Sequence, residues 1–219
     1  MNRNEHIYGQ YVIGTWNING FFTSKNEHYM TFKTNVIKYV YCDILVIPEH
    51  HCHNDQKLVF ENYNIFQFNR PSLKSQRHGS GGIAVALHKS LLNTHKVLGI
   101  FKGNDGQLAV KLKHVSTDFL IGILGLYLPP SSYHYGQDAE GFFDSCASMW
   151  NDLSDCDLLV GAGDLNSRTK QLLDFIPEID GNQIPTRKNP DLVKKWPRRS
   201  ISRFFKRYEI LNLKWPSHT

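Results

Sequence analysis

Six short apolar runs constrain the fold of this chain more than any other feature. They occupy residues 11–16, 43–47, 81–87, 107–112, 119–128 and 158–162. Most are continuous rather than alternating, and Val and Ile are prominent in them. Strands buried on both faces have this pattern, because neither face needs to meet water. The run 107–112 alternates and is expected to be a half-exposed strand. Two stretches carry helical spacing instead. In residues 32–40, Phe32, Val36, Tyr39 and Val40 fall on one side of a helix. In residues 139–153, Phe142, Phe143, Cys146, Met149, Trp150 and Leu153 do the same. Residues 200–208 read as a basic amphipathic helix, and residues 185–197, rich in Pro and charge, read as an exposed loop. Strands interleaved with helices and hairpin-like pairs predict an α/β fold, a sandwich of sheets with helices.

A chain of 219 residues suits one sizeable domain. Its 41% hydrophobic content is enough for a real core, which excludes general disorder. Charge is unevenly spread. Residues 183–219 hold ten Lys and Arg against two acids, a net of +8, which leaves the preceding 182 residues at −3. This basic segment is either a surface for a polyanion or simply a solvated face. The four cysteines, Cys42, Cys52, Cys146 and Cys156, form no Cys-x-x-Cys pair and no small-scaffold spacing, so a reducing compartment is expected. The first residues have no apolar signal core, and no run approaches membrane-spanning length. The expected location is the nucleus or cytoplasm, without secretion and without a membrane partner.

Function is legible where the apolar runs stop. One ends in Trp16-Asn17-Ile18-Asn19-Gly20 and another in Pro48-Glu49-His50-His51. A third ends in Tyr127-Leu128-Pro129-Pro130, and a fourth in Gly163-Asp164-Leu165-Asn166-Ser167-Arg168. Side chains alternate along a strand, so Asp164 and Asn166 share a face if the extended conformation continues, and so do Asn17 and Asn19. Carboxyl ends of strands are common ligand sites in α/β folds. A Glu, an Asp, amides and a phenol are all oxygen donors, suited to a hard divalent cation and a phosphate. Any one such ending is usually a turn or a helix cap; four in one chain are harder to ascribe to coincidence.

With Gly79-Ser80-Gly81-Gly82-Ile83-Ala84-Val85 standing between the second and third endings, this order of motifs resembles the endonuclease/exonuclease/phosphatase superfamily. It is most similar to the apurinic-type endonuclease domain of non-LTR retrotransposons. The resemblance spans about residues 12–213. It implies a two-sheet β-sandwich flanked by helices, and hydrolysis of a phosphodiester by water with Mg²⁺ or Mn²⁺. Residue by residue, it implies that Glu49 is the chief metal-ligating carboxylate, with Asn17 beside the metal and the phosphate. It further implies that Asp164 orients or deprotonates the attacking water, that Asn166 holds a phosphate oxygen, and that Tyr127 donates to the phosphate or the leaving group. Asn19, His51 and Arg168 are implied substrate contacts. Asn19 stands where the repair enzymes usually have Asp, which removes a charge but keeps an oxygen. DNA is the implied substrate, and fusion to a reverse transcriptase the implied context of a full-length parent.

Other readings of the motifs are weaker. His50-His51-Cys52-His53 lacks a second ligand pair at zinc spacing. Gly79-Ser80-Gly81-Gly82 lacks the Lys and the following helix of a P-loop and reads as a turn. Trp196-Pro197-Arg198-Arg199 is either a contact to DNA phosphates or a plain solvated loop. The family continues beyond this length to a Ser-Asp-His motif, whereas Ser217-His218 lacks the Asp and comes early. The expectation is a single domain over residues 1–219, incomplete at its C-terminus and with little activity on its own. The alternatives are a degenerate, non-catalytic binder of nucleic acid and a phosphodiesterase acting on lipid head groups.

Overall fold

The computed structural model describes residues 11–22, 27–39, 41–71, 79–130 and 136–166. The expected helix at 200–208, the loop at 185–197, the basic segment 183–219 and Arg168 lie outside the described residues. Along the chain run β1 (Ile13–Thr15), α1 (Glu27–Tyr39), β2 (Ile44–Pro48), β3 (Tyr63–Phe68), β4 (Ile83–His88), β5 (His95–Lys102), β6 (Gln107–His114), β7 (Leu120–Tyr127), α2 (Ala139–Asp152) and β8 (Leu158–Asp164). These strands make two four-stranded sheets, ordered β1-β2-β4-β3 and β5-β6-β7-β8. Each sheet ends in one parallel pair, β1 with β2 and β7 with β8, and is otherwise antiparallel.

The sheets pack face to face. Ile44, Val46, Ile83, Val85 and Leu87 of the first meet Leu108, Val110, Leu112, Ile121 and Ile123 of the second. The alternate residues of the same strands point away and are also covered. Leu45, Ile47, Ala84 and Ala86 pack with Ile37 of α1 and with Ile18, Phe21 and Phe60. Ala109, Leu124 and Leu126 pack with Phe142, Phe143, Cys146 and Met149 of α2. Both faces of β2, β4 and β7 are thus dry, which is why these strands are continuous apolar runs. Asp138 starts α2 by accepting from the Gly141 N–H at 2.9 Å, an N-cap that satisfies one of the helix's free donors.

Four details depart from the sequence expectations. β3 and β5 were not foreseen. Each is the outermost strand of its sheet opposite the parallel pair, and such strands keep polar and glycine residues, here Asn64, Gln67, Lys96 and Gly99, that break an apolar run. β6 is not half-exposed: Leu108, Ala109, Val110 and Leu112 are all buried, because the strand is flanked by β5 and β7 and covered on both sides. Lys111 and Lys113 reach outward, to Asp155 at 2.6 Å and to Asp118 at 2.7 Å. The inward face of α1 is Met30, Lys33 and Ile37 rather than Phe32 and Tyr39, which are exposed; Val40 is outside the described residues. Tertiary packing prevailed over the apolar count because buried Lys33 finds acceptors beneath the helix, whereas Phe32 and Tyr39 face outward.

No helix among the described residues is long and apolar enough to cross a membrane.

Candidate active site

Strands within a parallel pair end on the same side, and both pairs of this sandwich end at one site. In the second sheet the site residues belong to the ladder itself. Tyr127 and Asp164 are register partners at the last rung of β7 and β8. Alternation turns Tyr127 and Ala162, and with Ala162 also Asp164, toward the space between the sheets. In the first sheet, Asn17 and Glu49 lie just beyond the ends of β1 and β2. Alternation alone would put Glu49 with Leu45 and Ile47, on the helix side. A left-handed backbone at Glu49, φ 58°, breaks the alternation.

Asn17 joins the two halves. Its Nδ2 donates to Glu49 Oε2 at 2.7 Å and to Asp164 Oδ2 at 2.8 Å. One amide therefore holds two carboxylates brought by different sheets. Asn17 Oδ1 is occupied locally, accepting from the Asn19 N–H at 2.9 Å. Glu49 Oε1 lies 3.4 Å from His51 Nε2, and the Tyr127 phenol donates to Glu49 as well.

Backbone strain gathers at this place. Among the described residues, the non-glycine positions with positive φ are Asn19 (46°), Glu49 (58°), His51 (55°) and Asn166 (46°). All four belong to the motifs at the strand ends. Such conformations cost about 1–3 kcal/mol each and persist only where surrounding contacts enforce them. The contacts are visible. The Glu49 N–H donates to Gly82 O and the His51 N–H to Gly81 O, both at 2.8 Å, so the glycine turn before β4 grips the Glu49 segment from below. Gly20 N–H to Glu49 O (2.7 Å) and Phe21 N–H to His50 O (2.8 Å) stitch the Asn17 loop to it from the side.

The electrostatics match the geometry. Burial pushes the Glu49 carboxyl up, but hydrogen bonds from His51, Asn17 and Tyr127 together outweigh it and hold the group below the usual carboxylate range. Glu49 is therefore ionised at neutral pH. Burial and the adjacent Glu49 charge raise the Tyr127 phenol, so it keeps its proton and donates. Arg70 stands 5.7 Å from the Tyr127 ring centroid and pairs through Nε with Asp105 in the β5–β6 turn. His50 is fully buried, and burial lowers it to about 4. It is a neutral packing residue whose Nδ1 accepts the Cys52 N–H at 3.1 Å.

The structure thus brings Asn17, Glu49, Tyr127, Asp164 and His51 together. Asn19 is exposed at the rim. Asn166 does not share an extended face with Asp164. The chain turns there, the Asn166 N–H closing onto Asp164 Oδ1 at 2.9 Å while Nδ2 donates to Leu128 O at 3.0 Å. Asn17 and Asn19 close the same kind of two-residue turn instead of lying on one strand face. Arg168 is outside the described residues. Sequence reasoning passed over Arg70, the gripping role of Gly81 and Gly82, and Lys33. Arg70 follows a strand with no clear apolar run, and Lys33 sits on the wrong side of the apparent helix face, so neither carried a local signal.

No family model matches the sequence, and none of the curated proteins matches it. Solved structures do. The AP endonuclease LMAP of Leishmania major is similar with a TM-score of 0.53 and 17% identity, over 72% of this chain and 55% of that one. The 3′ phosphatase NExo of Neisseria, bound to a product DNA hairpin, is similar at 0.50 and 14%, over 72% and 58%. Truncated TDP2 of Caenorhabditis elegans is similar at 0.50 and 17%, over 74% and 65%. The architecture is the endonuclease/exonuclease/phosphatase fold. The chain spans 55% to 65% of the length of these three structures.

Proposed function

We propose that this chain carries the metal-binding and phosphate-binding part of a phosphodiester-cleaving site, and that its substrate is DNA. The observation that carries the reading is the bridge from Asn17 to Glu49 and Asp164, with carboxylates from two sheets held on one amide. Two facing carboxylates repel, and a hard divalent cation is the natural neutraliser of such a pair. The donor set fits Mg²⁺ or Mn²⁺. It consists of oxygens, and Mg²⁺ keeps several waters, needing only one or two carboxylates from the protein. This suits a site where no group of three His, Cys, Asp or Glu is arranged as a metal cage among the described residues.

Glu49 would hold the ion, with Asn17 beside it. When bound, the ion supplies Lewis acidity and counter-charge for the phosphate. The protein supplies the rest. Asp164 orients a water and takes its proton, the protonated Tyr127 phenol donates to the phosphate or the leaving oxygen, and Asn19 and His51 contact the substrate at the rim. Asn166 contributes by fixing the turn after Asp164. DNA is favoured because the similar structures include an AP endonuclease and a 3′ phosphatase bound to a DNA hairpin. The retrotransposon branch is favoured by the Trp16-Asn17-Ile18-Asn19-Gly20 and Gly79-Ser80-Gly81-Gly82 motifs.

The test is Mn²⁺ binding by the purified chain, followed by magnetic resonance of the free ion, together with Mg²⁺-dependent nicking of supercoiled plasmid and release of phosphorylated head groups from lipid phosphodiesters. Glu49→Ala is expected to weaken Mn²⁺ binding by about 100-fold or more, since loss of even the residues that orient metal ligands costs about 10–100-fold, while leaving the circular dichroism spectrum unchanged. Unaltered Mn²⁺ binding removes Glu49 from the site. Retention of plasmid in a gel-shift assay without Mn²⁺ binding identifies a non-catalytic nucleic-acid binder, and preference for lipid phosphodiesters overturns the DNA assignment.

A further inference from the structure

The loop that carries Asn17 has an unusual support. Ile18 and Gly20 are buried, and the left-handed residue between them, Asn19, turns the chain there. Buried carbonyls need donors. The Ile18 and Gly20 carbonyls receive theirs from one ammonium, Lys33 Nζ, at 2.7 Å from Ile18 O and in close contact with Gly20 O. Lys33 comes from the inward face of α1 and is 2% exposed. Lysine is seldom this buried without a specific task. An uncharged residue of the same length would fill the space but leave both carbonyls unsatisfied.

The two carbonyls flank Asn19, whose N–H holds the Asn17 amide. The Gly20 and Phe21 amides, directly beyond, bind Glu49 O and His50 O. The ammonium therefore sits under a junction where the backbone of the Asn17 loop is fastened to the Glu49 segment.

We propose that Lys33 is a positioning residue for the metal site, its ammonium locking the loop of residues 17–21 so that Asn17 bridges Glu49 and Asp164. The proposal rests on the metal site described under Proposed function. Lys33 touches neither ion nor substrate in this role; it sets the backbone that aims Asn17 and anchors Glu49.

The experiment measures Mn²⁺ affinity and amide hydrogen exchange in the full chain and in the variants Lys33→Met, Lys33→Arg and Glu49→Ala. Lys33→Met keeps the length and removes the donors. It is expected to raise the Mn²⁺ dissociation constant about 10–100-fold, as loss of residues that orient metal ligands does. Exchange at the Gly20 and Phe21 amides should accelerate while that of the central strand β6 stays as in the unaltered chain. Lys33→Arg, which restores a cationic donor, should recover part of both. Unchanged Mn²⁺ affinity and unchanged exchange at Gly20 and Phe21 in Lys33→Met overturn the proposal. So does acceleration spread evenly over all strands, which marks a residue that only stabilises the fold. If Lys33→Met does not fold, the unaltered chain decides: added Mn²⁺ should slow exchange at Gly20 and Phe21, and no slowing overturns the coupling. If Glu49→Ala also binds Mn²⁺ normally, the metal reading has failed at its own ligand, and local exchange in Lys33→Met then judges the loop support by itself.

Discussion

The two sheets bring their residues to the site by different means. In the β5-β6-β7-β8 sheet, Tyr127 and Asp164 are paired rungs of a parallel ladder, aimed by strand alternation. In the β1-β2-β4-β3 sheet, Asn17 and Glu49 stand beyond the ladder and are aimed by loops with left-handed residues, braced by the glycine turn and Lys33. One half inherits its geometry from regular hydrogen bonding. The other half is enforced against local preference, which requires many specific contacts. The difference teaches that a rigid frame and a strained, tunable arm can share one site, with Asn17 as the joint between them.

The largest effect that sharpens this comparison comes from two glycines. Gly163 in β8 has φ 151°, and a side chain there meets the Leu126 carbonyl of the neighbouring strand. Backbone within a ladder has nowhere to move. Gly163→Ala is expected to cost about 4 kcal/mol, strain and overpacking combined, seen as a loss of cooperative urea unfolding. Gly82 before β4 has φ 85°, and its added Cβ meets the His50 ring instead. A side chain yields more readily than a ladder, so Gly82→Ala should cost about 2–3 kcal/mol. The reverse order would break the distinction between frame and arm.

Next in size is a pH effect confined to the loop-built half. His50 is neutral when folded, with burial holding it at about 4, whereas unfolded histidine titrates near 6.5. Between those values the unfolded chain binds a proton that the folded chain does not. Stability from this group is complete above about pH 6.5 and lost as pH falls toward 4. From pH 7 to pH 5 the loss should be about 2 kcal/mol by urea titration. His50→Gln should flatten the profile over that window, and an unchanged slope would remove His50 as its cause.

The smallest effect concerns the frame. Tyr127→Phe keeps the ring against Arg70 and leaves Glu49 its bonds to Asn17 and His51. The expected cost is about 1 kcal/mol, the worth of one hydrogen bond, measured by thermal unfolding near neutral pH. A loss as large as that of Gly163→Ala would mean that the phenol, and not the ladder, organises this half.

Much of the frame is legible in the sequence alone. Runs such as Ile121-Gly122-Ile123-Leu124 announce strands covered on both faces, and the spacing of Phe142, Phe143, Cys146 and Met149 announces the covering helix. The residues at the strand ends were legible as chemical types. The arm was less so. The face of α1 was misassigned because Phe32 and Tyr39 look more apolar than Lys33. Each half also hid an outer strand, β3 in the one and β5 in the other, because outer strands need not be continuously apolar.

The sequence by itself determined which segments are buried strands and which oxygen-bearing residues follow them, since both depend on near neighbours along the chain. Only the tertiary structure decided that Asn17 would meet Asp164, 147 positions away, and that a lysine would be buried beneath the loop joining them. The physical reason is range. Apolar periodicity is a local property, while the meeting of two strand pairs depends on sheet order and on how two faces pack, which no short window of residues contains.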